Sequence, residues 1–149
     1  MTDQSVYDAA GGGGALVALA RAWHRRCLDD PMASHPFSHA GQHPQHVERL
    51  AAYWGEALGG PPDFSTSMSD HTTVMRMHAG NGEHPELDAR AVELFDLAMD
   101  DVDLPARVRP VLAAYFREMT RVMGAFPSSA DDVPADLAFP HWSWDGSVD

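Results

Sequence analysis

Apolar residues in this chain recur every three to four positions, in blocks separated by glycine and proline. Leu16, Leu19, Ala20, Trp23 and Cys27 predict a helix that stops at Asp29-Asp30-Pro31. Ahead of it, residues 1–8 read as a frayed lead and the four glycines at 11–14 as a flexible joint. Prolines, glycines and histidines crowd 31–45 and predict an irregular connection. Val47, Leu50, Tyr53, Trp54 and Ala57 then line one face of a helix over about 44–58, ended by Gly59-Gly60-Pro61-Pro62. Residues 63–69 read as a polar loop. A short helix follows at about 70–78 and breaks at Gly80-Asn81-Gly82. Two longer helices complete the set. One covers about 85–101, with Leu87, Ala91, Leu94, Phe95 and Ala98 inside. The other covers about 106–125, with Val108, Val111, Leu112, Tyr115, Met119 and Val122 on one face. Pro110 falls in the first turn of that last helix, where a missing N–H costs little. No alternating strand pattern runs beyond a few residues and no segment repeats. The expectation is an all-α domain at 1–126. The loop-like extension at 127–149 carries Phe139, Trp142 and Trp144 and is expected to pack back on the domain.

Composition narrows the class. With 149 residues, 44% of them hydrophobic, the chain makes one domain with a real core. No apolar run approaches the roughly 20 residues that span a bilayer. Residues 1–15 lack the basic-then-apolar order of a signal peptide, so the reading is cytoplasmic. Cys27 is alone and excludes an internal disulfide and a cysteine zinc site. The net charge is -12, and all ten basic residues are arginine. Such a surface repels nucleic acid and anionic membranes, which removes both as partners.

The chemistry lies in nine histidines. His35, His39, His43 and His46 have the spacing of a metal cluster, but Pro36 and Pro44 interrupt any shared helix face. His46 lies four residues before Leu50, so the two share a face and His46 points toward the interior or a cavity. His24 follows Trp23 and has the same ambiguity. His78 closes the Met/Val-rich segment Val74-Met75-Arg76-Met77, just before the glycine break. A histidine so placed presents one ring nitrogen to a partner while the chain turns away, and two opposed histidines on separate helices can flank a flat cofactor. No strand precedes the glycines at 11–14 and no Gly-Lys-Ser/Thr follows them, so a nucleotide loop is absent. No Gly-x-Ser-x-Gly elbow occurs.

These residues resemble the truncated haemoglobins, globins with a two-over-two helical sandwich, and most of all their second group. The likeness covers roughly 6–125. It rests on Val6-Tyr7-Asp8-Ala9 with the glycines after it, Asp30-Pro31, Glu48-Arg49-Leu50, Gly59-Gly60-Pro61, the segment 75–79 and Asp103-Leu104-Pro105, in that order and spacing. The resemblance implies haem b, with the proximal iron ligand at His78. The family's usual tyrosine on the second helix falls on His24. Its haem-facing aromatic falls on Phe37, its next distal position on His46, and its large tryptophan on Ala91. The chain is thus similar to a divergent branch that exchanges two polar aromatic donors for two imidazoles and adds a C-terminal extension.

On this reading His78 binds iron as a neutral imidazole whose other N–H donates to a nearby backbone carbonyl. Leu50, Phe37, Trp54, Phe95 and Met77 supply apolar contacts to haem, and Arg76 or His71 pairs with a propionate. His46, with His24 behind it, either hydrogen-bonds a bound diatomic ligand or occupies the sixth iron position itself. Ala91 leaves room in the pocket unless Trp54 or the tail tryptophans fill it, and the tail covers one mouth of the pocket. The implied partners are dioxygen, nitric oxide or carbon monoxide. A redox role of the nitric oxide dioxygenase or peroxidase kind would also need a reductase. The chain would act as a monomer or homodimer. Two other readings stand beside this one: a globin-fold module without haem that binds or supports another protein, and a non-haem metal protein built on the 35–46 histidines.

Overall fold

The computed structural model describes residues 4–34 and 45–148. Seven α-helices occur among them: α1 Val6–Ala10, α2 Gly12–Leu28, α3 His46–Ala57, α4 Asp63–Ser67, α5 His71–His78, α6 Pro85–Asp101 and α7 Arg109–Met123. A two-residue hairpin near the C-terminus pairs β1, Trp142–Ser143, with β2, Gly146–Ser147. α2 packs on α3 and on α6, and α6 packs on α7. Two crossed helix pairs therefore enclose the core, in the two-over-two arrangement expected from the sequence.

Three segments differ from the sequence expectation. The lead at 1–8 is helical from Val6: the Ser5 hydroxyl caps α1 by accepting from Asp8 N–H at 3.0 Å, and Val6 and Ala10 are buried. Gly11 and Gly12 take φ of 116° and 78°, so they turn the chain sharply between α1 and α2 where L-residues would be strained. Only then does the glycine run enter α2, because tertiary packing of the following apolar face outweighs poor propensity. The loop at 63–69 contains α4, held by the buried Phe64 and by Glu56, whose carboxylate accepts from Ser65 N–H at 2.8 Å and Ser65 Oγ at 2.6 Å. At the other helix junction, Gly60 lies against the Tyr7 ring, and a Cβ there would come within 2.6 Å of it.

Asp30 ties the end of α2 to α6. Its carboxylate accepts from Met32 N–H at 3.0 Å, Ala33 N–H at 2.9 Å and Arg90 Nε at 2.6 Å. The Ala33 amide and the Arg90 guanidinium hold its carboxyl below the ordinary aspartate range. α6 opens with Pro85 in its first turn and with Glu86 and Asp88 at its positive end. Cys27 is buried, which pushes its thiol up to about 12 and leaves it unreactive.

The centre of the sandwich is aromatic. Phe95 and Phe116 stack at 4.1 Å, Trp54 meets both edge-on at 5.5 and 5.9 Å, and Trp23 meets Phe116 at 5.3 Å and Trp54 at 6.2 Å. One ring comes from each of the four main helices, so this cluster sets how the two pairs cross. Trp23 Nε1–H also donates to the Ala91 carbonyl on α6 at 3.1 Å. Trp23→Ala should therefore lower unfolding free energy by about 3–5 kcal/mol in urea denaturation followed by far-ultraviolet circular dichroism. Trp23→Phe should cost clearly less, because most of the ring contact survives; equal losses for the two would show that ring packing is not what Trp23 supplies.

Candidate haem site

α5 delivers His78. The Asp70 carboxylate caps the helix by accepting from Thr73 N–H at 2.7 Å, and this amide holds the carboxyl below its ordinary range. At the other end Gly80 and Gly82 take φ of 78° and 69° and lead the chain away. His78 Nδ1 lies 2.8 Å from the Val74 carbonyl, four residues back. A carbonyl only accepts, so Nδ1 carries the hydrogen. In the neutral ring, Nε2 then keeps its lone pair. Asn81 Nδ2–H donates to the His78 carbonyl at 3.1 Å and secures the last turn. His78 and Arg76 are exposed, and Met77 between them is 74% exposed. A large apolar side chain beside a nitrogen that keeps its lone pair gives this surface chemistry that an apolar, metal-bearing ring could use.

The second cluster lies between α2 and α3. His24 and His46 bring their ring centroids within 5.3 Å, tilted by 52°, and both Nε2 atoms are buried. Leu50 is half-buried one turn beyond His46, and Trp54 is buried one turn further on. The structure thus brings His24 and His46 together and sets Leu50 on the same face. Trp54 and Phe95 lie deeper, within the central aromatic cluster. Phe37 lies outside the described residues, as do His35, His39 and His43. Among the described residues no group of three metal-ligating side chains occurs.

One expectation changes. His71 is not available to a propionate: it is buried, and its Nδ1 pairs with the Tyr53 hydroxyl at 2.9 Å. Arg76 is an exposed cation on that helix. At Ala91 the backbone carbonyl is met by the Trp23 indole N–H. Trp144 instead donates to the Gln4 carbonyl at 2.7 Å with Arg107 over its ring, and Trp142 packs edge-on against Tyr115. A cavity of about 370 Å³ between α7 and the terminal hairpin, lined by Tyr115, Met119, Val122 and Trp142, lies apart from His78 and from the His24–His46 pair.

The Val74 carbonyl was legible as the residue one helical turn before His78. The Tyr53–His71 pair was not, since it joins two helices 18 residues apart.

Against this geometry the family is clear. The chain belongs to the bacterial-like globins, whose family model matches residues 5–124. Its fold is that of the truncated, two-over-two haemoglobins. The haemoglobin of the thermophilic phototrophic bacterium Chloroflexus aurantiacus superposes with a TM-score of 0.69 at 23% identity, over 81% of this chain and 98% of the other. The thermostable haemoglobin of the actinobacterium Thermobifida fusca gives 0.67 at 24% identity, over 90% and 100%. The group II truncated haemoglobin of Bacillus anthracis gives 0.69 at 15% identity, over 87% and 97%. No curated protein matches the sequence.

Burial lowers the affinity of His71 for a proton below that of an ordinary histidine, with Asp70 acting weakly the other way. An unfolded histidine titrates near pH 6.5. Below about that pH the unfolded chain takes up a proton that the folded protein still refuses, so stability falls on acidification. The His71 contribution is complete above that value and is lost as the pH drops through the lowered folded one. The melting temperature of the wild type should consequently fall more steeply than that of His71→Gln between about pH 6.5 and 5. Parallel curves would show that His71 is not the group responsible.

Proposed function

We propose that this globin holds haem b through His78 Nε2 and binds a diatomic ligand on the side lined by His46 and His24. The observation that carries this reading is the Nδ1–H bond from His78 to the Val74 carbonyl at 2.8 Å, on the exposed face that Met77 shares. That bond selects the tautomer with an Nε2 lone pair and makes the ring a stronger donor to metal. Membership of the globin family supports the same cofactor. Arg76, exposed on α5, would meet an acidic substituent of the ring, while Leu50 and Met77 would offer apolar contact. When bound, haem supplies a ferrous iron able to take up dioxygen, nitric oxide or carbon monoxide.

An imidazole N–H from His46 would stabilise negative charge on a diatomic ligand held by the haem, and His24, whose ring centroid lies 5.3 Å away, would orient that ring. The pair also gives two nitrogens between which a proton can be held, which is what a redox role would draw on, given an external electron donor. Among the described residues no helix is long and apolar enough to cross a membrane.

Titration of purified protein with haemin should give a sharp Soret band that saturates at one haem per chain. His78→Ala should weaken haem binding by more than about 100-fold, beyond the roughly 10–100-fold typical of losing a residue that only supports a ligand. A wild type without a saturable Soret band would favour the haem-free module instead.

His46→Leu should speed dioxygen release by about 10–100-fold, the equivalent of losing one strong hydrogen bond. If His46 instead occupies the sixth position at rest, the same variant should abolish a low-spin spectrum. Unchanged release together with an unchanged spin state would remove His46 from both roles.

A further inference from the structure

We infer that the segment 126–139 is a strap that positions α5 and, with it, the His78 imidazole. The bearing on iron rests on the function proposed above; the bearing on α5 does not. α5 has eight residues, too few to hold a helix in water without tertiary support. Among the described residues that support comes mainly from the C-terminal segment. α5 meets the 3-10 turn at Ala130–Asp132 more extensively than it meets any helix.

The strap grips both ends of α5. Past its C-terminus, Gly80 N–H donates to the Phe126 carbonyl and Gly82 N–H to the Pro127 carbonyl, each at 2.9 Å. Both glycines have positive φ, so the chain leaving His78 is shaped to present these two amides to the strap. At the N-terminal end the buried Thr72 hydroxyl accepts from Leu137 N–H at 2.8 Å and donates to the Pro134 carbonyl at 3.4 Å. Phe139 then closes over His71 at 6.3 Å, Tyr53 at 4.9 Å and Phe64 at 6.0 Å, covering the hydrogen bond that ties α5 to α3. Val133, between the two grips, is buried.

The consequence for His78 is mechanical. Its Nδ1–H bond to Val74 exists only while the last turn of α5 is wound. Releasing the strap frays that turn and frees the ring to change tautomer and direction. Thr72, Gly80 and Phe139 are accordingly positioning residues for His78, acting through α5 rather than on a ligand.

Thr72→Val keeps the side-chain shape and removes the hydroxyl, and Phe139→Ala removes the cover over His71 without changing any residue of α5. In haem-free protein, hydrogen exchange of the α5 amides should accelerate about ten-fold in each variant, while α2 and α6 keep their wild-type protection. Ring nitrogen shifts of His78 should show the Nδ1-protonated tautomer losing population, and Thr72→Ser should restore both signals. In the haem-loaded protein the same variants should still bind one haem but lose it faster. Unaltered α5 exchange and an unaltered His78 tautomer in both variants would overturn the strap, and so would equal loss of protection in every helix. If wild type takes up no haem, the proposed function fails, and the haem-free exchange and tautomer measurements still decide for or against the strap.

Discussion

The proposed site depends on one hydrogen bond, from His78 Nδ1–H to the Val74 carbonyl. An imidazole has two nitrogens of similar basicity, and without a fixed partner either can carry the proton. Committing Nδ1 to a carbonyl one turn back in the same helix settles the matter locally. The cost is that the helix must reach residue 78 and stop there. Asp70 at one end and the Gly80-Asn81-Gly82 turn at the other meet that requirement.

The interior itself is set by ring contacts. Trp23, Trp54, Phe95 and Phe116 meet one another in a close-packed core, and the Trp23 indole N–H is satisfied by the Ala91 carbonyl on α6. The residues that fill the centre therefore come as a matched set, one from each main helix.

Periodic segments were legible because burial and pitch agree in them: α6 spans Pro85–Asp101, as its apolar spacing requires. α1 and α4 were not legible, because five residues carry too few apolar positions to show a period. Each rests on contacts outside its own span, Tyr7 N–H to the Leu58 carbonyl and Ser65 to Glu56. At the site, the tautomer-setting carbonyl of His78 could be found by counting back one turn. Spacing placed His46 on an inward face and left His24 ambiguous; the expectation that the two lie together came from the family resemblance. The Tyr53–His71 bond could not be read that way. Nothing in the spacing distinguishes a histidine that will pair with a buried hydroxyl from one that will face outward.

The family match ends at residue 124, where the four-helix sandwich is already complete. The groups that hold α5 begin just after, at the Phe126 and Pro127 carbonyls, and run on to Phe139. Likeness to solved structures at 15–24% identity shows the fold alone and does not speak to the individual hydrogen bonds that support α5. A site is defined by the pose of a few side chains, and pose is set by whatever packs on the short element that carries them. In this globin that element is the least self-sufficient helix of the site and its principal packing partner is the terminal segment. On the proposal made above, the pose of His78 is coupled through Thr72 to Pro134 and Leu137, some sixty positions along the chain.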